Sequence, residues 1–286
     1  MELTEKLCRA MQAHGGRACL VEVLDSRGSV PRGAGAWMAV LPAQPGCTPD
    51  IIGTIGGGHL EWQAMREAAA WLQHRDWVGP EEKKLVLGAS LGQCCGGAVR
   101  LRWQLVRWQA RAQWLPRLLP QRLPVALFGA GHVGQALVRL LQDLPCQVQW
   151  MDSREDCWHG QHWPAHVQCL HQPIAHEGVA DVAARARVYI LTHSHEEDLQ
   201  ILQACLQRQR TQKDLHSIGL IGSATKWASF RSRLRARGWS DAELDAVICP
   251  IGVAGVQGKE PQVIAVAVAA QILQTRAVQT EEQQAR

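Results

Sequence analysis

The chain has 286 residues, of which 47% are hydrophobic and 20% charged, and its formal net charge is +4. This length allows one large domain or two ordinary ones, and the composition is that of a soluble globular protein. The positive charge forms no Lys/Arg block, since the arginines at 231, 233, 235 and 237 spread around a helix instead of lining one face. We therefore expect no nucleic-acid partner.

Neither end of the chain predicts a membrane or secretory segment. The first residues, MELTEKLCRAMQ, lack a positive region followed by an apolar one, and the longest apolar stretch, Val263–Leu273, is too short to span a bilayer. We expect a cytoplasmic protein without membrane contact. Its ten cysteines then lie in a reducing compartment, which argues against a disulfide framework.

Residues 1–108 mix helical and strand patterns, which predicts a smaller N-terminal α+β domain. The predicted helices are Leu3–His14 and His59–Gln73. The predicted strands are Arg17–Leu24, Ala36–Leu41, Ile51–Ile55, Lys84–Leu87 and Val99–Val106.

Residues 109–124 are Arg-rich and contain three prolines, so we interpret them as a linker. In residues 125–286 strands alternate with helices, which predicts a Rossmann-type, doubly wound parallel sheet. The predicted strands are Val125–Phe128, Gln147–Met151, Val188–Thr192 and Ser217–Leu220. The predicted helices are His132–Leu144, Glu196–Gln207, Ala224–Arg237 and Val263–Leu273.

The turn Gly129-Ala130-Gly131-His132-Val133-Gly134 fits G-x-G-x-x-G between a strand and a helix. In this motif the first Gly allows the tight turn, the second lets a phosphate approach, and the third packs helix on strand. Asp152 follows at the end of the next strand, where it could hold a ribose or another diol. Arg154 would suit a further anionic group, although a surface arginine is the simpler interpretation. The turn predicts a phosphorylated ligand without choosing among NAD, NADP, FAD, a nucleotide and a pterin.

A second strand-to-helix turn, Gly56-Gly57-Gly58-His59, has three glycines with bare amides, which is typical of an anion site. His59 would lie at its mouth and could bind or carry a proton. The alternative is a tight structural turn, in which Glu61 complements the helix dipole.

Two groups of cysteines are candidates for chemistry. Cys94-Cys95-Gly96-Gly97 is a glycine-flanked thiol pair, which suits sulfur or molybdenum as well as it suits buried packing. The second group has metal-ligand types in a segment interpreted as a variable loop, but its spacing matches no zinc pattern, so we expect no metal there. Its members are Cys157, His159, His162, His166, Cys169, His171 and His176.

Thr192-His193-Ser194-His195 closes another predicted strand of the parallel sheet. Ligands of such sheets bind at the carboxyl ends of the strands, so His193 and His195 are placed to contact one. The alternative is that Thr192 or Ser194 only caps the next helix. No nucleophile–base–acid set accompanies these residues, so no catalytic residue is predicted.

Seven blocks in order along the chain resemble the XdhC/CoxI family. They are GSVPRGAG at Gly28, GTIGGGHLE at Gly53, LGQCCGG at Leu91, LFGAGHVGQAL at Leu127, THSHEEDL at Thr192, GLIGSATKWASFRSRL at Gly219 and PIGVAGVQGKEPQVIAVAVAAQIL at Pro250. Together they run from about Gly28 to Leu273, and their common order makes the resemblance specific.

The resemblance implies a chaperone, not an enzyme with turnover, that binds the molybdopterin form of the molybdenum cofactor. Such a protein supports exchange of an oxo for a sulfido ligand, with sulfur from a cysteine desulfurase. It then delivers the cofactor to the large subunit of xanthine dehydrogenase, a purine-oxidising enzyme, and often forms a homodimer. The shared Cys-Gly-Gly pattern favours Cys95 over Cys94 as a molybdenum contact, but the family does not decide which glycine turn holds the pterin.

Two other functions stay open from the residues. The Rossmann turn alone suits an NAD(P)-dependent oxidoreductase, which would not need Cys94 or Cys95. A sulfur carrier would hold a persulfide on Cys95 without any pterin.

Overall fold

The computed structural model describes residues 3–43, 47–74, 77, 79–87, 96–158 and 160–284, with side chains as far as residue 274. The chain divides into two compact units, Met1–Pro120 and Gln121–Arg286. Cys94, Cys95 and His159, all singled out from the sequence, lie outside the described residues.

The first unit is built on a five-stranded antiparallel sheet. Its elements are α1 (Leu3–Ala13), β1 (Arg17–Arg27), β2 (Trp37–Val40), β3 (Ile51–Thr54), α2 (Gly58–Gln73), β4 (Glu81–Val86), β5 (Ala98–Arg107) and α3 (Arg111–Leu118). The strand order is β3-β2-β1-β5-β4, and the unit has the α+β character that the sequence predicts.

The central strand β1 explains why helices cover both faces of this sheet. Its residues alternate between two apolar clusters, as side chains of a strand must. Cys19 and Val21 pack in the cluster that contains α2, whereas Ala18 and Leu20 pack in the cluster that contains α1 and α3.

The second unit is a six-stranded sheet in which every pair of neighbouring strands is parallel. Its elements are β6 (Leu123–Phe128), α4 (His132–Leu141), β7 (Cys146–Asp152), β8 (Val167–His171), β9 (Arg187–Ile190), α5 (His195–Gln212), β10 (Ser217–Leu220), α6 (Ala224–Arg235), α7 (Asp241–Asp245), β11 (Val247–Ile248) and α8 (Pro261–Gln284). The order β11-β10-β9-β6-β7-β8 is that of a Rossmann sheet, so the predicted fold class is confirmed.

Strand β6 shows why this sheet is buried on both sides. Ala126 and Phe128 pack in one apolar cluster, and Val125 and Leu127 pack in the other. A strand that is buried on both faces has a continuous run of hydrophobic residues in its sequence. The residues from Val125 to Phe128 form such a run.

Two sheet-edge strands differ from the sequence prediction. Strand β8 falls in the segment we interpreted as a variable loop, and β4 begins at Glu81, ahead of the predicted start at Lys84. Both lie at the edge of a sheet, where polar and charged residues are common and the apolar signal is weak.

The segment 109–124, interpreted as a linker, contains the division between the two units at Pro120. Much of it is helix α3, whose Trp114 and Leu118 are buried in the first unit. The apolar residues on either side of Pro116 therefore pack as part of a short helix. No helix in the described part of the chain is long and apolar enough to cross a membrane.

Two leucines on helix α4, one buried and one partly exposed, provide a matched test of the hydrophobic core of the second unit. Leu137 is fully buried, whereas Leu140 on the same helix is 37% exposed. We predict that Leu137→Ala lowers the free energy of unfolding by about 2–5 kcal/mol, because it leaves a cavity, and that Leu140→Ala costs much less. Urea unfolding of the two variants measures this difference, and equal losses would contradict the placement of α4.

Candidate functional site

The strand order of the second unit reverses between β6 and β9, which are neighbours although β7 and β8 separate them in sequence. In such sheets ligands bind beside this reversal, at the carboxyl ends of the strands. The turn 129–131 follows β6, and the loop 191–194 follows β9. We call the space flanked by these two segments the switch-point crevice.

The glycines after β6 differ in the space around them. A Cβ on Gly129 would lie 2.4 Å from the carbonyl oxygen of Leu191, and one on Gly134 would lie 2.2 Å from the carbonyl oxygen of Gly129. A Cβ on Gly131 would meet no described atom within 4 Å. The first and third glycines thus permit close packing, and the second leaves the backbone open to a ligand.

Helix α4 begins at the crevice without a side-chain cap. Gly131 is its N-cap residue, and the first turn contains no acidic residue. By contrast, Ser194 and Ser223 accept hydrogen bonds from backbone amides at the starts of α5 and α6. Uncapped amides and the helix dipole favour an anion at the start of α4, beside the exposed His132.

Asp152, predicted to hold a diol, lies at the end of β7 with 5% of its surface exposed. Its carboxylate accepts hydrogen bonds from the Ala130 amide at 2.6 Å and from Arg154, at 2.9 Å each from the amide, Nε and Nη2. Burial alone would raise the pKa of Asp152, but the hydrogen bonds from Arg154 and Ala130 outweigh it and hold that pKa far below its usual range. The charged carboxylate is engaged by the protein's own donors.

On the other side of the crevice, hydrogen bonds fix the loop after β9. The Thr192 hydroxyl lies 2.7 Å from Asp198 Oδ1, which also accepts the Thr192 amide at 3.1 Å. Ser194 caps α5 by accepting the Glu197 amide at 3.3 Å. Thr192 and Ser194 therefore have structural partners, whereas His193 and His195 are exposed.

The sequence analysis missed Asp198 and its partner Lys226. Asp198 is fully buried, and the Lys226 ammonium lies 2.5 Å from its Oδ2. An acid in the first turn of a helix normally indicates only a favourable contact with the dipole. Burial of that acid depends on a residue 28 positions further on, which no local pattern reveals.

The Gly56–Gly58 turn of the first unit is occupied by its own acid. Glu61 Oε2 accepts the amides of Ile55 at 3.0 Å and Gly57 at 3.1 Å, together with the hydroxyl of Thr54. A carboxylate in this position repels a phosphate, and this favours the structural alternative for the turn. His59 is exposed, with its ring 5.4 Å from the ring of Trp62.

The glycine-containing loop around Gly28 contacts two other glycine-containing segments of the first unit. A Cβ on Gly56 would lie 2.3 Å from Pro31 Cβ, and one on Gly97 would lie 2.4 Å from the carbonyl oxygen of Arg27. The loop around Gly28 therefore packs on both the Gly56 turn and Gly97, which follows the undescribed Cys94 and Cys95.

Six of the eight described cysteines do not have the character of activated thiols. Burial raises the pKa of Cys19 and Cys205 to about 12 and, with Asp152 nearby, that of Cys157 to about 11. Burial also raises the pKa values of Cys8, Cys169 and Cys249. Among the described residues no group of three or more His, Cys, Asp or Glu side chains could hold a metal ion.

Comparison with known families gives a match in each unit. A model described as the XdhC Rossmann domain matches residues 125–272, and one described as the XdhC and CoxI family matches residues 11–76.

Two individual proteins are also similar to the chain. The uncharacterized protein YqeB of Escherichia coli (strain K12) is 25% identical over 258 residues, which cover 90% of this chain but 43% of that protein. The chain thus spans less than half the length of this relative. A crystal structure of a xanthine dehydrogenase from Bacillus halodurans matches 96% of this chain and 95% of that chain, with a TM-score of 0.71 and 18% identity. At this identity the likeness shows the fold alone.

The depressed pKa of Asp152 gives a pH-dependent prediction. Asp152→Asn should lower the free energy of unfolding by about 1–3 kcal/mol at pH 7, because a buried acceptor is lost. Since the folded-state pKa lies below the unfolded value of about 4, this contribution is complete above pH 4 and is lost as the pH falls further.

Urea unfolding between pH 7 and pH 3 measures the difference between Asp152→Asn and the unsubstituted protein. The exposed Glu155, on the same loop, supplies the control Glu155→Gln. A constant difference across this range would contradict the assignment of the charge to Asp152.

Proposed function

Since the chain belongs to the XdhC family, we propose that it is an accessory protein of xanthine dehydrogenase maturation that carries the molybdopterin form of the molybdenum cofactor. The cofactor is cargo and is passed on to the large subunit of the enzyme. The protein acts as a chaperone in the cytoplasm, as a homodimer, and receives sulfur through a cysteine desulfurase.

The observation that carries this proposal is the open backbone at Gly131, at the uncapped start of α4. The phosphate of a pterin would be held by the first-turn amides, because amides at a helix start bind anions. His132 and His193, both exposed, border the crevice and can contact the bound molecule. The Gly56 turn is a weaker candidate, because Glu61 fills it.

The engagement of Asp152 argues against the NAD-dependent form of the oxidoreductase alternative, whereas an NADP-dependent form would use an arginine such as Arg154 for the 2′-phosphate. Dinucleotide-binding Rossmann domains use the acid at the end of the second strand to hold the ribose 2′-hydroxyl. Here Arg154 and the Ala130 amide already donate hydrogen bonds to both oxygens of that carboxylate. A ligand anchored by phosphate alone, such as a phosphorylated pterin, makes no demand on Asp152.

We assign the thiol chemistry to Cys95, assisted by Cys94. Six described cysteines have pKa values raised by burial, which makes them poor nucleophiles and poor ligands. When bound, the cofactor supplies a molybdenum centre that takes a sulfido ligand in exchange for an oxo ligand. A glycine-flanked thiol suits contact with that soft centre, and a persulfide on Cys95 is the alternative by which it would carry sulfur.

The amount of cofactor bound per chain tests the proposal that the switch-point crevice holds the pterin phosphate. The protein is co-expressed with intact cofactor biosynthesis, purified, and assayed for molybdenum and for fluorescent oxidised pterin per chain. We predict near-stoichiometric pterin in the unsubstituted protein and a loss of about tenfold or more in Gly131→Val, whose side chain blocks the approach to the amides. Gly131 has φ −73°, which other residues adopt, so this variant should fold. Bound NAD(P) without pterin would overturn the proposal.

The thiol assignment has its own test. We predict that Cys94→Ala with Cys95→Ala abolishes retention of the cofactor in the same assay. The exposed Cys47 supplies the control, because Cys47→Ala removes a thiol outside the proposed chemistry. Unchanged cofactor content in the double variant would contradict the thiol contact and leave the crevice assignment standing.

A further inference from the structure

A buried ion pair between Asp198 and Lys226 is hydrogen-bonded to the loop that follows β9. Asp198 is fully buried at the start of α5, and Lys226 on α6 reaches it with a side chain that is 12% exposed. The ammonium is 2.5 Å from Asp198 Oδ2 and 2.8 Å from the carbonyl oxygen of Ile221. The pair therefore joins the loop after β10 to the start of α5.

The two oxygens of Asp198 have different partners. Oδ2 faces Lys226, whereas Oδ1 accepts the Thr192 amide at 3.1 Å and lies 2.7 Å from the Thr192 hydroxyl. The same hydroxyl oxygen accepts the Ser194 amide at 3.2 Å. A continuous set of polar contacts thus runs from Lys226 to the backbone on both sides of His193.

The surroundings leave Lys226 little freedom. A Cβ on Gly222 would lie 2.8 Å from Lys226 Cδ, so the glycine makes room for the folded side chain. The ammonium also lies 5.4 Å from the centre of the Phe230 ring, and that ring packs against His195 at 6.3 Å. These contacts hold the charge in one place beside the crevice.

Buried ion pairs add little to stability, because desolvation cancels much of their attraction, but they can select one geometry. This pair is linked to the loop that flanks the switch-point crevice. We propose that Lys226, acting through Asp198, is a positioning residue that fixes the Thr192–Ser194 loop in its ligand-binding shape. The role in loop order stands on these contacts alone, and its effect on a ligand rests on the proposed function.

The second unit contains a matched ion pair away from the crevice. Arg208 donates to Asp214 through Nε at 2.9 Å and through Nη2 at 2.6 Å, and its side chain is 9% exposed. Asp214 precedes β10 and therefore lies at the opposite, amino end of the sheet. Loss of the Arg208–Asp214 pair should lower the stability of the protein without changing the structure of the switch-point crevice.

The test compares three variants of the full chain. Lys226→Met leaves Asp198 as an uncompensated buried charge and is the direct test. The double variant Asp198→Asn with Lys226→Met removes both charges, which proteins tolerate far better than one unpaired buried charge, and it keeps an oxygen that can accept the Thr192 amide. It keeps the test of Lys226 valid where the single variant does not fold. Arg208→Met is the control at the opposite end of the sheet.

Amide hydrogen exchange in the ligand-free protein measures directly how well the Thr192–Ser194 loop is ordered. We expect the Thr192 and Ser194 amides to exchange at least about tenfold faster in the double variant, with the amides of β9 unchanged. Pterin per chain after co-expression should fall by about tenfold or more in the same variant and stay at the unsubstituted level in Arg208→Met.

Protected amides together with full pterin content in the double variant would overturn the inference, because the pair would then have only a structural role. If the unsubstituted protein carries no pterin, the proposed function fails, and the exchange rates still decide the role of Lys226. Faster exchange at Thr192 and Ser194 supports the positioning role in either case.

Discussion

The close approach of the turn after β6 to the loop after β9 is the contact on which the second unit depends. A side chain on Gly129 would collide with the Leu191 carbonyl, so only glycine allows these two segments to meet. The Trp150 indole nitrogen donates to the Gly129 carbonyl at 3.0 Å, and Asp152 accepts the Ala130 amide. With the turn held from the protein side, the start of α4 and the open face of Gly131 are presented at the strand-order reversal.

Acidic residues near the turns of this protein accept hydrogen bonds from its own backbone amides. Asp152 holds the Ala130 amide and Arg154, Glu61 fills the Gly56 turn, and Asp198 holds Thr192 and Lys226. Each oxygen of the Asp152 carboxylate already accepts two hydrogen bonds, so this carboxylate is not available to a ligand hydroxyl. This use of acids favours recognition of a phosphate by backbone amides, and it separates the crevice from dinucleotide sites that need a free acid for the ribose.

The sequence predicts those features that local geometry decides. The fold class follows from alternating strands and helices, and the packing roles of Gly129 and Gly134 follow from the spacing of the motif. The sequence does not reveal that Glu61 fills the Gly56 turn or that Lys226 reaches Asp198, because these contacts depend on side-chain directions and on distant segments. Edge strands such as β8 are missed for a related reason, since an edge needs little apolar sequence.

The central claim is that a phosphorylated pterin occupies the switch-point crevice. A crystal structure of the protein purified from cells that make the molybdenum cofactor tests it most directly. We predict electron density for the pterin, with its phosphate at the amides that follow Gly131 and its edge near His193. Density for a nicotinamide dinucleotide in the crevice, or for the pterin phosphate at the Gly56 turn, would contradict the claim.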